Sequence, residues 1–147
     1  MRKRFIILLA LFVLTFSAVL AESTEHPDIN GKWSAFAYQF GDNTFVDSKL
    51  FYSQCDMEIE KDSAILTYNH NALGRGINGL TLIYVEDHIE VEYMGCRIDF
   101  LTQEDLKELT FEAMELPELK EDLILKFDDT HGMVILFLRV PEEEAKP

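Results

Sequence analysis

Basic residues, cysteines and metal-binding patterns are all scarce in this chain, and each scarcity removes a class of function. Thirteen Lys and Arg stand against 27 Asp and Glu, a formal charge of −14. A field of that sign repels nucleic acid and anionic membrane surfaces, draws cationic partners at low salt, and in any case favours solubility. The two cysteines, Cys55 and Cys96, form no Cys-x-x-Cys motif, so a dithiol redox centre is not indicated. The four histidines, His26, His70, His88 and His131, lie far apart with no Cys or His cluster beside them, and neither a metal nor a cofactor is expected. Gly-x-Ser-x-Gly, His-Glu-x-x-His and Asn-x-Ser/Thr patterns are all missing. Nothing points to an enzyme, and N-linked glycans are not expected.

Long apolar runs are missing too, with one exception at the start. Arg2, Lys3 and Arg4 precede an unbroken apolar stretch over 5–14, and small residues close the segment at Ala18 and Ala21. A membrane-spanning helix wants about 20 apolar residues, so this shorter run reads as a signal peptide over 1–21, cleaved after Ala21. The expected destination is secreted or periplasmic. Cleavage leaves 126 residues and, with three basic residues removed, takes the charge from −14 to −17. That length suits one domain, 22–140, ahead of a polar, proline-bearing tail over 141–147 that is expected to fray. In an oxidising compartment Cys55 and Cys96 are expected to pair if the fold brings them together, closing a loop of roughly 40 residues worth about 4 kcal/mol. Two buried free thiols are the alternative.

What remains is period-two alternation. Met57 and Ile59 alternate with Asp56, Glu58 and Glu60, and Ile89, Val91 and Tyr93 with Glu90 and Glu92, as in strands with one wet and one dry face. Further strands are expected over 32–40, 45–53, 64–69, 80–85, 95–101, 122–127 and 133–140. Acidic and Gly-containing turns separate them, which argues an antiparallel meander. The segment 103–115 fits a helix capped by Thr102, or a turn leading into a strand through Phe111. Residues 133–138 are apolar on both faces, so the outer surface needs a cover: a helix, a second sheet layer or a homodimer partner. Gly74-Arg75-Gly76-Ile77-Asn78-Gly79 spells a dinucleotide-binding pattern, but no helix follows it, and it reads as a flexible loop between strands. Arg75 would there border the open end of a barrel, meeting an acidic ligand or facing water.

Asn30-Gly31-Lys32-Trp33 opens the first strand, and this resembles the Gly-x-Trp signature of lipocalins and their relatives. The stretch from Arg97 to Gln103, and on to Leu109, is also similar to the late hairpin of small bacterial lipocalin-like domains. The resemblance implies an all-β, antiparallel up-and-down barrel of about eight to ten strands with one short helix near 103–115. It also implies a structural plug formed by Gly31, Trp33 and Arg139, the guanidinium lying over the indole at the closed end. In such a barrel Ala35 and Ala37 would leave open volume above the plug, and Tyr68, Tyr84 and Tyr93 would line it as ligand-binding residues. The mature chain is short for a full lipocalin, and Arg139-Val140-Pro141 lacks the aromatic found two residues after the arginine of intracellular fatty-acid binders, so the ligand class stays open.

The expected function is non-catalytic binding of a small hydrophobic or amphipathic molecule. The alternative is an extracytoplasmic protein-binding module whose acidic surface meets a cationic protein partner. Expressed in its own host, the mature protein is expected to begin at Glu22; Edman sequencing or intact mass checks this, and a chain retaining Phe5 would refute the cleavage.

Overall fold

The alternation is realised as strands in a computed structural model of the chain, which describes residues 26–40 and 44–142. The segments expected to be a leader, 1–21, and a tail, 141–147 beyond its first two residues, lie outside the described residues. The strands are β1 (Gly31–Phe40), β2 (Thr44–Asp47), β3 (Tyr52–Glu60), β4 (Ser63–His70) and β5 (Gly74–Tyr84). They continue with β6 (His88–Val91), β7 (Arg97–Leu101), β8 (Thr110–Phe111), β9 (Ile124–Asp128) and β10 (Met133–Arg139). One helical turn, α1 (Gln103–Leu106), follows β7.

Eight of these strands form a closed antiparallel barrel in the order β1, β3, β4, β5, β6, β7, β9, β10, with β10 pairing back onto β1. The expected all-β antiparallel barrel is therefore present. Turns at one end, around Lys61-Asp62 and Glu86-Asp87, sit beside the N-terminal lead-in and form the closed end. Turns 71–73, 92–96 and 129–132 surround the other end, the mouth.

The apolar residues separate into two clusters, one inside the barrel and one outside it. Along β10 the separation follows the strand period: Met133, Ile135 and Phe137 belong to the interior, Val134, Leu136 and Leu138 to the outer layer. The outer layer is covered by Phe45 from β2, Leu106 from α1, Phe111 from β8, and Met114 and Leu119 from the chain that follows. This cover accounts for the excess apolar surface that the sequence displays. The ambiguous segment 103–115 uses both of its alternatives in turn. Thr102 caps α1 in a reciprocal box with Asp105, and Thr110 and Phe111 then pair in parallel with Thr44 and Phe45 of β2.

Three expectations require correction. The strand expected over 45–53 is broken by a 3-10 turn, Ser48–Leu50, which separates β2 from β3 and lets β2 leave the barrel wall for the outer layer. The segment 74–79 is no flexible loop but the first half of β5, paired with β4 from His70↔Gly74 to Ile65↔Gly79. Gly76 is required there because the Tyr68 ring of β4 lies across it; a Cβ at 76 would stand 2.2 Å from the Tyr68 ring carbon Cζ. Ala37, expected to face the interior, instead packs in the outer cluster. The cause is a β-bulge: Ala35 faces Phe137 and Ala37 faces Leu136, so Phe36 is an extra residue and the parity of β1 reverses beyond it. The buried Ser48 hydroxyl donates to the Ala35 carbonyl beside this irregularity, 3.2 Å.

At the closed end Trp33 is fully buried, and its Nε1 donates to the Ile29 carbonyl, 2.8 Å. The guanidinium carbon of Arg139 lies 4.5 Å from the indole centroid, and Trp33 and Arg139 are direct cross-strand partners. Arg139 donates from Nη1 to the Asn30 carbonyl and from Nη2 to the Asp28 carbonyl, each at 2.6 Å, and from Nε to Glu121 at 3.0 Å. Gly31, at φ 126°, keeps the backbone in a conformation that L side chains rarely adopt, with Arg139 Nη1 3.6 Å from where a Cβ would be. Trp33→Ala is expected to destabilise the fold by about 3–5 kcal/mol. Urea denaturation measures it, and a loss below about 1 kcal/mol would remove Trp33 from its place in the core.

Candidate functional site

The lower half of the barrel holds the core. Trp33, Met57, Ile89, Ile98, Leu125 and Phe137 are fully buried there, at and above the plug. The upper half is open. A cavity of about 390 Å³ lies at the mouth, within the roughly 300–1,000 Å³ typical of ligand pockets. Its deeper wall is apolar, with Leu66, Phe127 and Ile135 joined by the Cys55 and Cys96 thiols, and its upper wall carries Tyr52, Tyr68, Asn78 and Met133. His70, Leu73, Met94, Asp129 and His131 stand at the rim. The wall is uneven: β5 has eleven residues and β6 only four, so Met94 and Cys96, in the turn after β6, border the cavity where the wall is lowest. A larger depression of about 680 Å³ lies outside the closed end, among the charged side chains of Lys32, Glu58, Glu60 and Arg139. Its lining mixes those charges with Ile59, Ala64, Ile65 and Val140, and it lies on the outside of the barrel.

The bulge in β1 also shapes the mouth. Below it β1 pairs with β3, and above it with β2, so β1 and β3 separate towards the mouth. Aromatic rings stand at that separation: Tyr38 packs on Phe51 at 4.8 Å and edge-on to Tyr52 at 5.8 Å. Tyr52 in turn meets Tyr68 and His70 nearly perpendicularly, with centroids 6.4 and 5.0 Å away. Burial is the main cause that pushes the Tyr52 phenol up to about 12, with Tyr38, Cys55, Tyr68 and Asp129 adding to it. Tyr38 is raised by burial first and Asp129 second. His70 Nδ1 accepts from the Ala72 and Leu73 amides, both at 3.1 Å, which places the ring proton on Nε2. Asp129 Oδ1 accepts from the His131 and Met133 amides at 2.8 and 2.9 Å and holds the β9–β10 turn.

Of the five residues expected to line a ligand site, the structure places one in the cavity wall. That residue is Tyr68. Ala35 packs against the interior cluster without bordering the cavity, and Ala37 lies outside the barrel. Tyr84 sits at the closed end, donating to the Lys61 carbonyl at 2.7 Å and stacking edge-on with His26. Tyr93 is 96% exposed at φ 63°, because β6 ends at Val91 and Tyr93 falls in the turn. Tyr52, Asn78, Asp129 and Met133 were not foreseen as cavity residues. Tyr52 carried a usable signal, an aromatic within an expected strand, whereas Asp129 looked like any acidic turn residue.

The expected disulfide is not formed, and Cys55 and Cys96 are free thiols. Cys55 lies on β3 and Cys96 in the turn before β7, and β4, β5 and β6 stand between those strands in the sheet. The thiols therefore border one cavity from different walls. Burial, with a smaller effect of Asp56, pushes the Cys55 thiol up to about 12, and burial with Asp129 and Asp128 raises Cys96. Among the described residues no group of three or more His, Cys, Asp or Glu side chains could hold a metal ion.

Comparison of the chain with models of protein families, with curated proteins and with solved structures finds no match. The closed eight-stranded barrel is compatible with a lipocalin-like fold.

The thiol shift fixes a sign. The folded state holds Cys55 protonated up to about 12 against an ordinary value of 9.0, so above pH 9 the unfolded chain ionises first and stability falls as pH rises from 9 towards 12. Urea midpoints are expected to decline across that window, and less so in Cys55→Ala; an equal decline in both proteins would deny the thiol its part. At pH 8 the buried Cys55 thiol stays protonated in the folded protein, so iodoacetamide should modify it far faster after denaturation than before.

Proposed function

We propose that the protein is an extracytoplasmic, lipocalin-like, non-catalytic binder that takes one small apolar or amphipathic molecule into the mouth of its barrel. The observation that carries this reading is the half-filled interior. Packed side chains seal the floor and give rigidity, while the mouth retains a cavity of ligand size bounded by apolar groups and a few polar ones. Thioether and thiol groups from Met94, Met133, Cys55 and Cys96 add polarizable, adaptable surface suited to irregular apolar guests. Gly31-Lys32-Trp33 with Arg139 over the indole supports the lipocalin likeness, and the leader 1–21 supports export. The protein-binding alternative drew part of its force from outer apolar surface, and the part over β1, β9 and β10 is met within the chain by β2, α1, β8 and the segment after them, while Ile65, Ile77 and Ile83 of β4 and β5 stay exposed.

The neutral fluorophore N-phenylnaphthylamine is expected to bind saturably, one molecule per chain. Asn78→Trp, which fills the cavity from β5, should weaken that binding at least about tenfold, and Tyr84→Phe at the closed end should leave it unchanged. Fluorescence titration decides. Absence of saturable binding, or equal affinity in Asn78→Trp, would refute the reading.

A further inference from the structure

The side chains that border the mouth cavity include one carboxylate, Asp129, and neither a lysine nor an arginine. Arg97 and Lys126, each next in sequence to a cavity residue, do not border the cavity, nor does Arg75 on an exposed position of β5. Of the two rim histidines, His70 has its Nδ1 engaged by two backbone amides. An anionic headgroup brought to this rim would meet the Asp129 carboxylate with no lysine or arginine to offset it, a costly arrangement for a partly desolvated ion. A cationic headgroup meets the opposite circumstances. Asp129 offers a carboxylate, and the Tyr52 and Tyr68 rings, 6.4 Å apart and nearly perpendicular, offer aromatic surface of the kind that attracts ammonium groups. The apolar tail would then point down towards Leu66, Phe127 and Ile135. The chain's charge of −14 raises the local concentration of such a ligand as well.

Resting on the binding function proposed above, we infer that the ligand is a cationic amphiphile, its ammonium group seated at the rim beside Asp129, Tyr52 and Tyr68 and its single apolar tail in the barrel.

Calorimetry with decyltrimethylammonium, decanol and decanoate, each below its micelle concentration, tests the inference with one tail and three heads. The ammonium is expected to bind about tenfold more tightly than decanol, with decanoate the weakest of the three. Asp129→Asn keeps an oxygen to accept from the His131 and Met133 amides, and it should bring the ammonium close to decanol while leaving decanol unchanged. If that variant fails to fold, added salt on the native protein serves instead: it should weaken the ammonium and spare decanol. Decanoate binding as tightly as the ammonium, or an unchanged ratio in Asp129→Asn, would overturn the headgroup assignment while the binding function stands. No binding by any of the three would overturn both.

Discussion

The indole of Trp33 beneath the guanidinium of Arg139 is the constraint on which the barrel depends. Three parts of the chain converge there: the lead-in through the Asp28 and Asn30 carbonyls, the β1–β10 seam through the Trp33↔Arg139 pair, and the outer cover through Glu121. Magnitudes separate the two partners' roles. A cation over an aromatic face contributes roughly 0.5–2 kcal/mol, whereas losing a large buried aromatic costs about 3–5 kcal/mol. The ring supplies the energy. The arginine, with about a quarter of its side chain exposed, supplies direction by binding two carbonyls that no neighbouring strand pairs.

From that anchored end the pairing of β1 with β10 runs in regular register to Ala35↔Phe137, and one extra residue then changes everything above it. Had the parity continued, Ala37 would point inward and Tyr38 outward. Phe36 reverses them, so Tyr38 enters the mouth and Ala37 becomes part of the floor under Phe45 and Leu136. The same irregularity ends the pairing of β1 with β3 and begins its pairing with β2, which carries the chain outward to meet β8. The open cavity and the outer cover are thus two results of one bulge.

That dependence explains what could be read beforehand and what could not. Alternation in β3 and β6 announced strands, because a period of two follows directly from which face is dry. The doubly apolar β10 announced a cover, and the cover proved to be the segment whose pattern fitted both helix and strand, since a single turn of each suffices to span the outer cluster. The bulge at Phe36 left no mark: aromatic and small residues alternate through Ala35, Phe36, Ala37 and Tyr38 in a way that either parity satisfies. Ala37 was therefore assigned to the wrong face. Tyr84 and Tyr93 failed for a different reason. Tyr84 follows the alternation, but height along the barrel decides whether a residue borders the cavity, and no local pattern encodes height; Tyr93 lies past the end of β6, in the turn, where alternation no longer sets its direction. Gly76 was misread because its meaning lies across the sheet, in the Tyr68 ring that needs the space. The cysteines were joined on compartment and loop length, quantities blind to the three strands that separate them.

The acidity of the chain divides into a general part and a local one. The cover carries Glu104, Asp105, Glu108, Glu112, Glu115, Glu118, Glu121 and Asp122 against Lys107 and Lys120, on the outside of the wall formed by β1, β9 and β10. Those carboxylates act through water, where a charge is screened within about 8 Å at physiological salt. Asp129 acts across the rim of a cavity with apolar walls. At a given distance a charge counts roughly four times more at an effective dielectric of about 20 than in bulk water. The many outer acids can therefore affect how often a cation arrives, but the choice among ligands with the same tail falls to Asp129, the carboxylate that borders the cavity.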